Sequence, residues 1–165
     1  NILQKFHMSD RTAAAVWRSQ TYRMLADSLG FCTWVLPLEC GFYRDDLAGD
    51  DAVLSELYTA VTGIETDQDE LLRLGERIAA LERLQGARHG YHSRAEDLRA
   101  VGERLFRESN ADSPLPGQVI DERRLTEELE RYYRLRGWDS ATGLPTEATL
   151  RRLGMDDLAA PLASS

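Results

Sequence analysis

Few side chains in this sequence have types and spacing that invite chemistry: Asp27 and Cys32, then Cys40, then the pair His89 and His92. A thiolate is a soft ligand suited to iron or zinc. Two cysteines are too few for a self-contained iron–sulfur cluster, which takes about four thiolates. Seven residues lie between Cys32 and Cys40, too many for a zinc knuckle. A disulfide framework in a small secreted protein would use more cysteines, so reduced thiols in a cytoplasmic protein are the plainer reading. On that reading Cys32 is simply a buried free cysteine. His89 and His92 could ligate a metal, but Gly90 and Tyr91 between them read as a turn, which favours a structural or surface role. Asp27 falls in the last turn of a predicted helix, where the negative end of the macrodipole disfavours a carboxylate by about 0.3–1 kcal/mol. Solvation or a pair with Arg23 would be its ordinary fate. No Ser–His–Asp set, phosphate loop or His-Glu-x-x-His run occurs.

The elements that must position these residues are helices. Asp10 can cap a helix running to Leu29, with Ala14, Trp17, Met24 and Leu25 on one side and Gly30 as its stop. Phe31 to Glu39 is apolar, contains Pro37 and reads as extended or loop, with a further loop to Gly49. Asp50 can cap a second helix, with Val53, Leu54, Leu57, Tyr58 and Val61 inward and Gly63 at its end. Thr66 and Asp69 suggest a capping box for a third, with Leu71, Leu74, Ile78 and Leu81 inward and an end near Gly86. A short helix is expected around residues 96–106 and a long loop around Pro114 and Pro116. Asp121 caps the next helix, with Leu125, Leu129, Tyr132 and Tyr133 on one face and Gly137 at its end. A last short helix spans about Thr146 to Leu153, stopped by Gly154. Nothing alternates with period two, so the fold class is all-α, with at most a few short strands. Tyr132, Tyr133 and Trp138 read as core and helix-end packing. The runs 121–124 and 126–128 read as solvated helix faces.

Composition narrows the partners. The chain has 165 residues, 42% hydrophobic and 29% charged, which suits one domain or two small ones. A net charge of -8 argues against nucleic acid. No run approaches the roughly 18–20 apolar residues of a membrane span, and the start lacks the pattern of a secretion signal. The absence of an initiator Met suggests an excised piece or a processed product.

Several blocks then stand in a telling order. Asp27-Ser28-Leu29-Gly30-Phe31-Cys32 comes first, followed by Thr62-Gly63 and by Gly75-Glu76-Arg77-Ile78 with Leu81-Glu82-Arg83. Tyr132-Tyr133-Arg134-Leu135-Arg136-Gly137-Trp138-Asp139 and Gly143-Leu144-Pro145-Thr146 follow, closed by Leu150, Leu153 and Gly154. In this order and spacing the chain resembles the C-terminal portion of the aldehyde:ferredoxin oxidoreductase family, from about Ala13 to Leu158. It departs from the family pattern at residues 84–90 and 96–99.

The resemblance implies an all-α, multi-helix C-terminal region over residues 1–165; the loop with Pro114 and Pro116 makes 110–118 the place for any subdivision. It implies an enzyme that oxidises aldehydes to carboxylic acids at a tungsten or molybdenum ion held by two pterins. Electrons would leave through a 4Fe–4S cluster to ferredoxin. Asp27, Gly30, Phe31 and Cys32 would be the cofactor-binding residues here, with Cys32 the fourth thiolate of the cluster. The other three thiolates and the acid–base groups would lie in a missing N-terminal portion, so no catalytic residue is assigned to this chain. A pterin edge carries adjacent N–H and NH₂ donors, both of which one carboxylate such as Asp27 can accept. The expected location is cytoplasmic. Two rivals stand beside this reading: a non-catalytic helical scaffold that kept the fold, and a small metal or redox sensor using Cys32 and Cys40. The isolated chain is expected to be folded, helical, colourless and inactive, with a tendency to dimerise through the apolar stretch after Gly30. Circular dichroism, absorption near 400 nm (a rough marker of iron–sulfur charge transfer) and sizing check this; a brown, active monomer contradicts it.

Overall fold

A computed structural model describes residues 12–30, 32, 51–91, 93–109 and 117–159. These form α1 (Thr12–Leu29), α2 (Asp51–Thr62), α3 (Gln68–Arg88), α4 (Arg94–Arg99), α5 (Arg104–Arg107), α6 (Glu122–Arg136), α7 (Glu147–Arg152) and α8 (Asp156–Ala159). Among the described residues there is no strand, only one isolated bridge between Trp138 and Pro145. The fold is all-α, as the periodicity requires. None of the described helices is long and apolar enough to cross a membrane.

The longest helix, α3, is the spine. Its N-terminal half contributes Leu71 to a core with Tyr22, Leu25 and Ala26 of α1 and Leu54 of α2. Its C-terminal half packs Ala80 and Leu84 against Leu150 and Leu153. Each fully buried large aliphatic here is worth about 1.5–3 kcal/mol of apolar transfer. Against α3, helix α1 comes unusually close: a Cβ on Gly75 would lie 2.7 Å from Thr21 Cγ2 and 2.9 Å from the Thr21 carbonyl. Only glycine lets the two backbones approach so far. Helix α1 also packs along α6.

Most helix ends agree with the sequence. Asp121 accepts from Arg124 N at 3.0 Å, Thr146 accepts from Thr149 N at 3.2 Å, and α6 stops at the left-handed Gly137, φ 68°. The expected caps Asp10 and Asp50 lie outside the described residues, as do the segment 33–49 and the loop at Pro114 and Pro116.

Several expectations need correction, among them the single short helix around 96–106, which is two helices, α4 and α5, with a break between them. The cap of α3 is Asp67, accepting from Glu70 N at 2.8 Å, not Thr66. That helix runs through Gly86 to Arg88, and Leu81 is 49% exposed while Ala80 and Leu84 are buried. On α2, Leu54 and Ser55 face inward, whereas Val53, Leu57 and Val61 are exposed. Leu54 and the partly buried Tyr58, one helical turn apart, pack against the α1–α3 core, while Val53, Leu57 and Val61 form a separate row at i, i+4 and i+8. Glu128, read as part of a solvated face, is only 6% exposed.

Candidate functional site

The C-terminal end of α1 is where Asp27, Gly30 and Cys32 meet. The body of the helix is held in the core by Tyr22, Leu25 and Ala26. Past Leu29 the chain turns through Gly30, whose φ of 75° is the left-handed value that ends a helix. Among the described residues a Cβ there would find nothing within 4 Å. Cys32 is a free, exposed thiol, unlike the buried cysteine of the plainer reading. Asp27 is exposed as well, and Arg23 Nε donates to its Oδ2 at 3.3 Å. That ion pair is the ordinary fate expected for a helix-end carboxylate. Phe31, Cys40 and His92 lie outside the described residues. His89 is exposed at the end of α3, far from Asp27 in the chain. Among the described residues, no three His, Cys, Asp or Glu side chains gather as a metal-binding group.

A second constellation, which apolar spacing does not reveal, lies between α3, α4 and α6. Arg83 is 7% exposed. It donates through Nη1 (2.9 Å) and Nη2 (2.5 Å) to the two carboxylate oxygens of Asp97, and through Nε to the Gly143 carbonyl at 2.8 Å. Tyr133 Oη donates to the same carboxylate at 2.5 Å. The Arg83 guanidinium also lies over the Trp138 ring, 5.1 Å from its centroid. Burial, then the bond to Asp97, pushes the Tyr133 phenol far above its usual range, so it stays a donor. Burial pulls the Arg83 pKa down, but the bond and charge of Asp97 outweigh it and leave the guanidinium firmly charged. Fully formed, this network is a structural clasp joining helix and loop; the packing role expected of Tyr133 and Trp138 agrees with their burial.

The third feature is a pair of buried charges on α6. Glu128 Oε2 accepts from Ala13 N, 3.1 Å away in the first turn of α1. Arg136, 2% exposed, reaches the same helix two turns later. The sequence carried one hint of it, the Arg136-Gly137 pair at a helix end, but a charged residue there reads as solvated by default.

The arrangement defines an all-α module that exposes a thiol and a carboxylate at the end of a core-anchored helix. This chain belongs to the aldehyde ferredoxin oxidoreductase family: the profile described as aldehyde ferredoxin oxidoreductase, domains 2 & 3, matches residues 2–155. It is 31% identical over 150 residues to the tungsten-containing aldehyde ferredoxin oxidoreductase of Pyrococcus abyssi, covering 91% of this chain and 22% of that protein. The Pyrococcus horikoshii protein of the same name gives 31% identity over the same shares. That of Pyrococcus furiosus gives 32% over 136 residues, 82% of this chain and 20% of the relative. The chain therefore spans about a fifth of the length of these relatives.

Proposed function

We propose that residues 1–165 form the C-terminal helical region of an enzyme that oxidises aldehydes to carboxylic acids at a tungsten or molybdenum bis-pterin centre, with electrons passing through a 4Fe–4S cluster to ferredoxin. Cys32 supplies the fourth thiolate of that cluster, and Asp27, with Gly30 and Phe31, meets a pterin. The observation that carries this reading is the joint exposure of the Cys32 thiol and the Asp27 carboxylate at the end of α1. Membership of the family supports it, as do the tungsten-containing relatives of which this chain spans only 22%. The remainder of such a protein is the partner this end of α1 would face.

The donor set fits these groups. A water-accessible thiol is open to iron held by thiolates from elsewhere, and two cysteines cannot complete a cluster alone. A carboxylate is an acceptor only, matched to the adjacent N–H and NH₂ donors of a pterin edge. When bound, the metal–pterin centre and the cluster supply the redox chemistry; this chain binds and orients. Local energetics leave Asp27 available. The macrodipole penalty at a helix C-terminus is about 0.3–1 kcal/mol. An exposed i,i+4 pair such as Arg23–Asp27 returns about 0.3–0.5 kcal/mol, so the two nearly cancel and nothing local commits the carboxylate. The left-handed Gly30 lets backbone approach a flat ligand without a side chain in the way.

Asp27→Asn tests the pterin contact. The amide keeps the shape but turns a donor toward donors, leaving buried groups unpaired at roughly 1–3 kcal/mol. Pterin content of the purified complete enzyme should fall. Full pterin occupancy and full activity would return Asp27 to its pair with Arg23.

A further inference from the structure

The two buried charges of α6 grip α1 in a specific way. Glu128 accepts from Ala13 N, and Arg136 Nη1 donates to Thr21 Oγ1 at 2.9 Å; both contacts span 115 residues of sequence. Equal spans mean that α6 and α1 run side by side in the same direction and in constant register. The two grips are therefore eight residues apart on each helix, about 12 Å at 1.5 Å per residue. Arg136 holds further points on α1: its Nη2 donates to the Trp17 carbonyl and to Gln20 Oε1, each at 3.2 Å. Its Nε donates to Tyr132 Oη at 3.1 Å, and Trp17, Tyr132 and Trp138 present ring faces 5.4–5.9 Å away.

Among the described residues no carboxylate pairs with Arg136. A buried cation without a counter-ion is a costly way to join two helices, and apolar packing would usually serve as well or better. Apolar contacts, however, tolerate sliding. A planar guanidinium fork bonded to backbone and side chains of one helix turn does not. Moving α1 along its axis would break the Ala13 and Thr21 bonds together.

We infer that Arg136 is a positioning residue: with Glu128 it fixes the axial placement of α1 and so the depth at which Cys32 and Asp27 are presented to the cofactors. This rests on the proposed function of that helix end. In the complete enzyme, Arg136→Lys keeps the charge and loses the fork. It should retain helical circular dichroism and iron, while the cluster's paramagnetic signal and midpoint potential shift and the amides of α1 exchange faster with solvent. Activity per tungsten should fall at least tenfold, since a misplacement of about 1 Å can cost on the order of 10²-fold. Thr21→Val removes one acceptor at nearly constant shape and should shift the signal in the same direction, which keeps the test open if Arg136→Lys folds poorly. Leu84→Ala, a truncation in the core cluster that contains no α1 residue, controls for lost stability and should leave the signal unmoved. Wild-type signal, potential and activity per tungsten in both Arg136→Lys and Thr21→Val would overturn the inference. Cys32→Ala, run alongside, separates the two claims. If it keeps the cluster, the reading of the helix end fails and the inference with it. If it loses the cluster while the two variants behave as wild type, only the positioning role is rejected.

Discussion

Replacing Asp97 with alanine is expected to destabilise the fold by about 3–5 kcal/mol, the toll of breaking a buried ion pair from one side. Arg83 is 7% exposed, and both its terminal nitrogens bond to the Asp97 carboxylate. Without that carboxylate the cation keeps, among the described residues, the Gly143 carbonyl and the faces of Tyr133 and Trp138. Tyr133, fully buried, loses its acceptor at the same time. The Asp97 side chain is 24% exposed, so water entering the gap holds the loss toward the lower end of the range. Tyr133→Phe removes one neutral donor and leaves the ion pair whole, so it should cost only about 0.5–1.5 kcal/mol. Denaturant unfolding followed by circular dichroism measures both. A loss below about 1 kcal/mol for Asp97→Ala would show that the clasp contributes no more than an exposed pair.

The clasp also marks the boundary of what sequence reading could reach. Helix number, class and most stops are written in local chemistry: Asp121 and Thr146 cap because a short side-chain oxygen reaches the next turn's N–H, and the chain after Leu29 and Arg136 turns left-handed where glycine stands. Which face of a helix turns inward depends on its neighbours. The pattern Leu71, Leu74, Ile78, Leu81 points to one stripe, yet Ala79 and Ala80 are buried and Leu81 is not, because α3 packs at close range against its neighbours. Small residues permit close approach and carry no hydrophobic signal strong enough to announce it. Arg83, Asp97, Glu128 and Arg136 are invisible for the opposite reason: a charge reads as surface until its long-range partners, 14 to 119 residues away, are known. At the end of α1 the residue types were legible from the motif itself. Asp27 and Cys32 stand exposed there, while Phe31 falls outside the described residues.

The largest functional effect belongs to Cys32. A cubane cluster with a protein thiolate on each iron loses an anchoring bond when one cysteine is removed, and the bared iron is open to water. Exposure of the thiol in this chain means that its loss removes no core packing, so in the isolated chain Cys32→Ala should leave helicity and unfolding midpoint near those of the unaltered chain. Effects on iron can then be read without a folding artefact. Cys40→Ala supplies the matched control, since the family resemblance assigns that cysteine no ligand role. Iron content, visible absorption and the low-temperature paramagnetic signal of the complete enzyme, purified without oxygen, give the most direct measurement. Cys32→Ala should abolish or greatly alter the cluster signal and Cys40→Ala should not. A cluster unchanged in iron content and spectrum in the Cys32 variant would contradict the account.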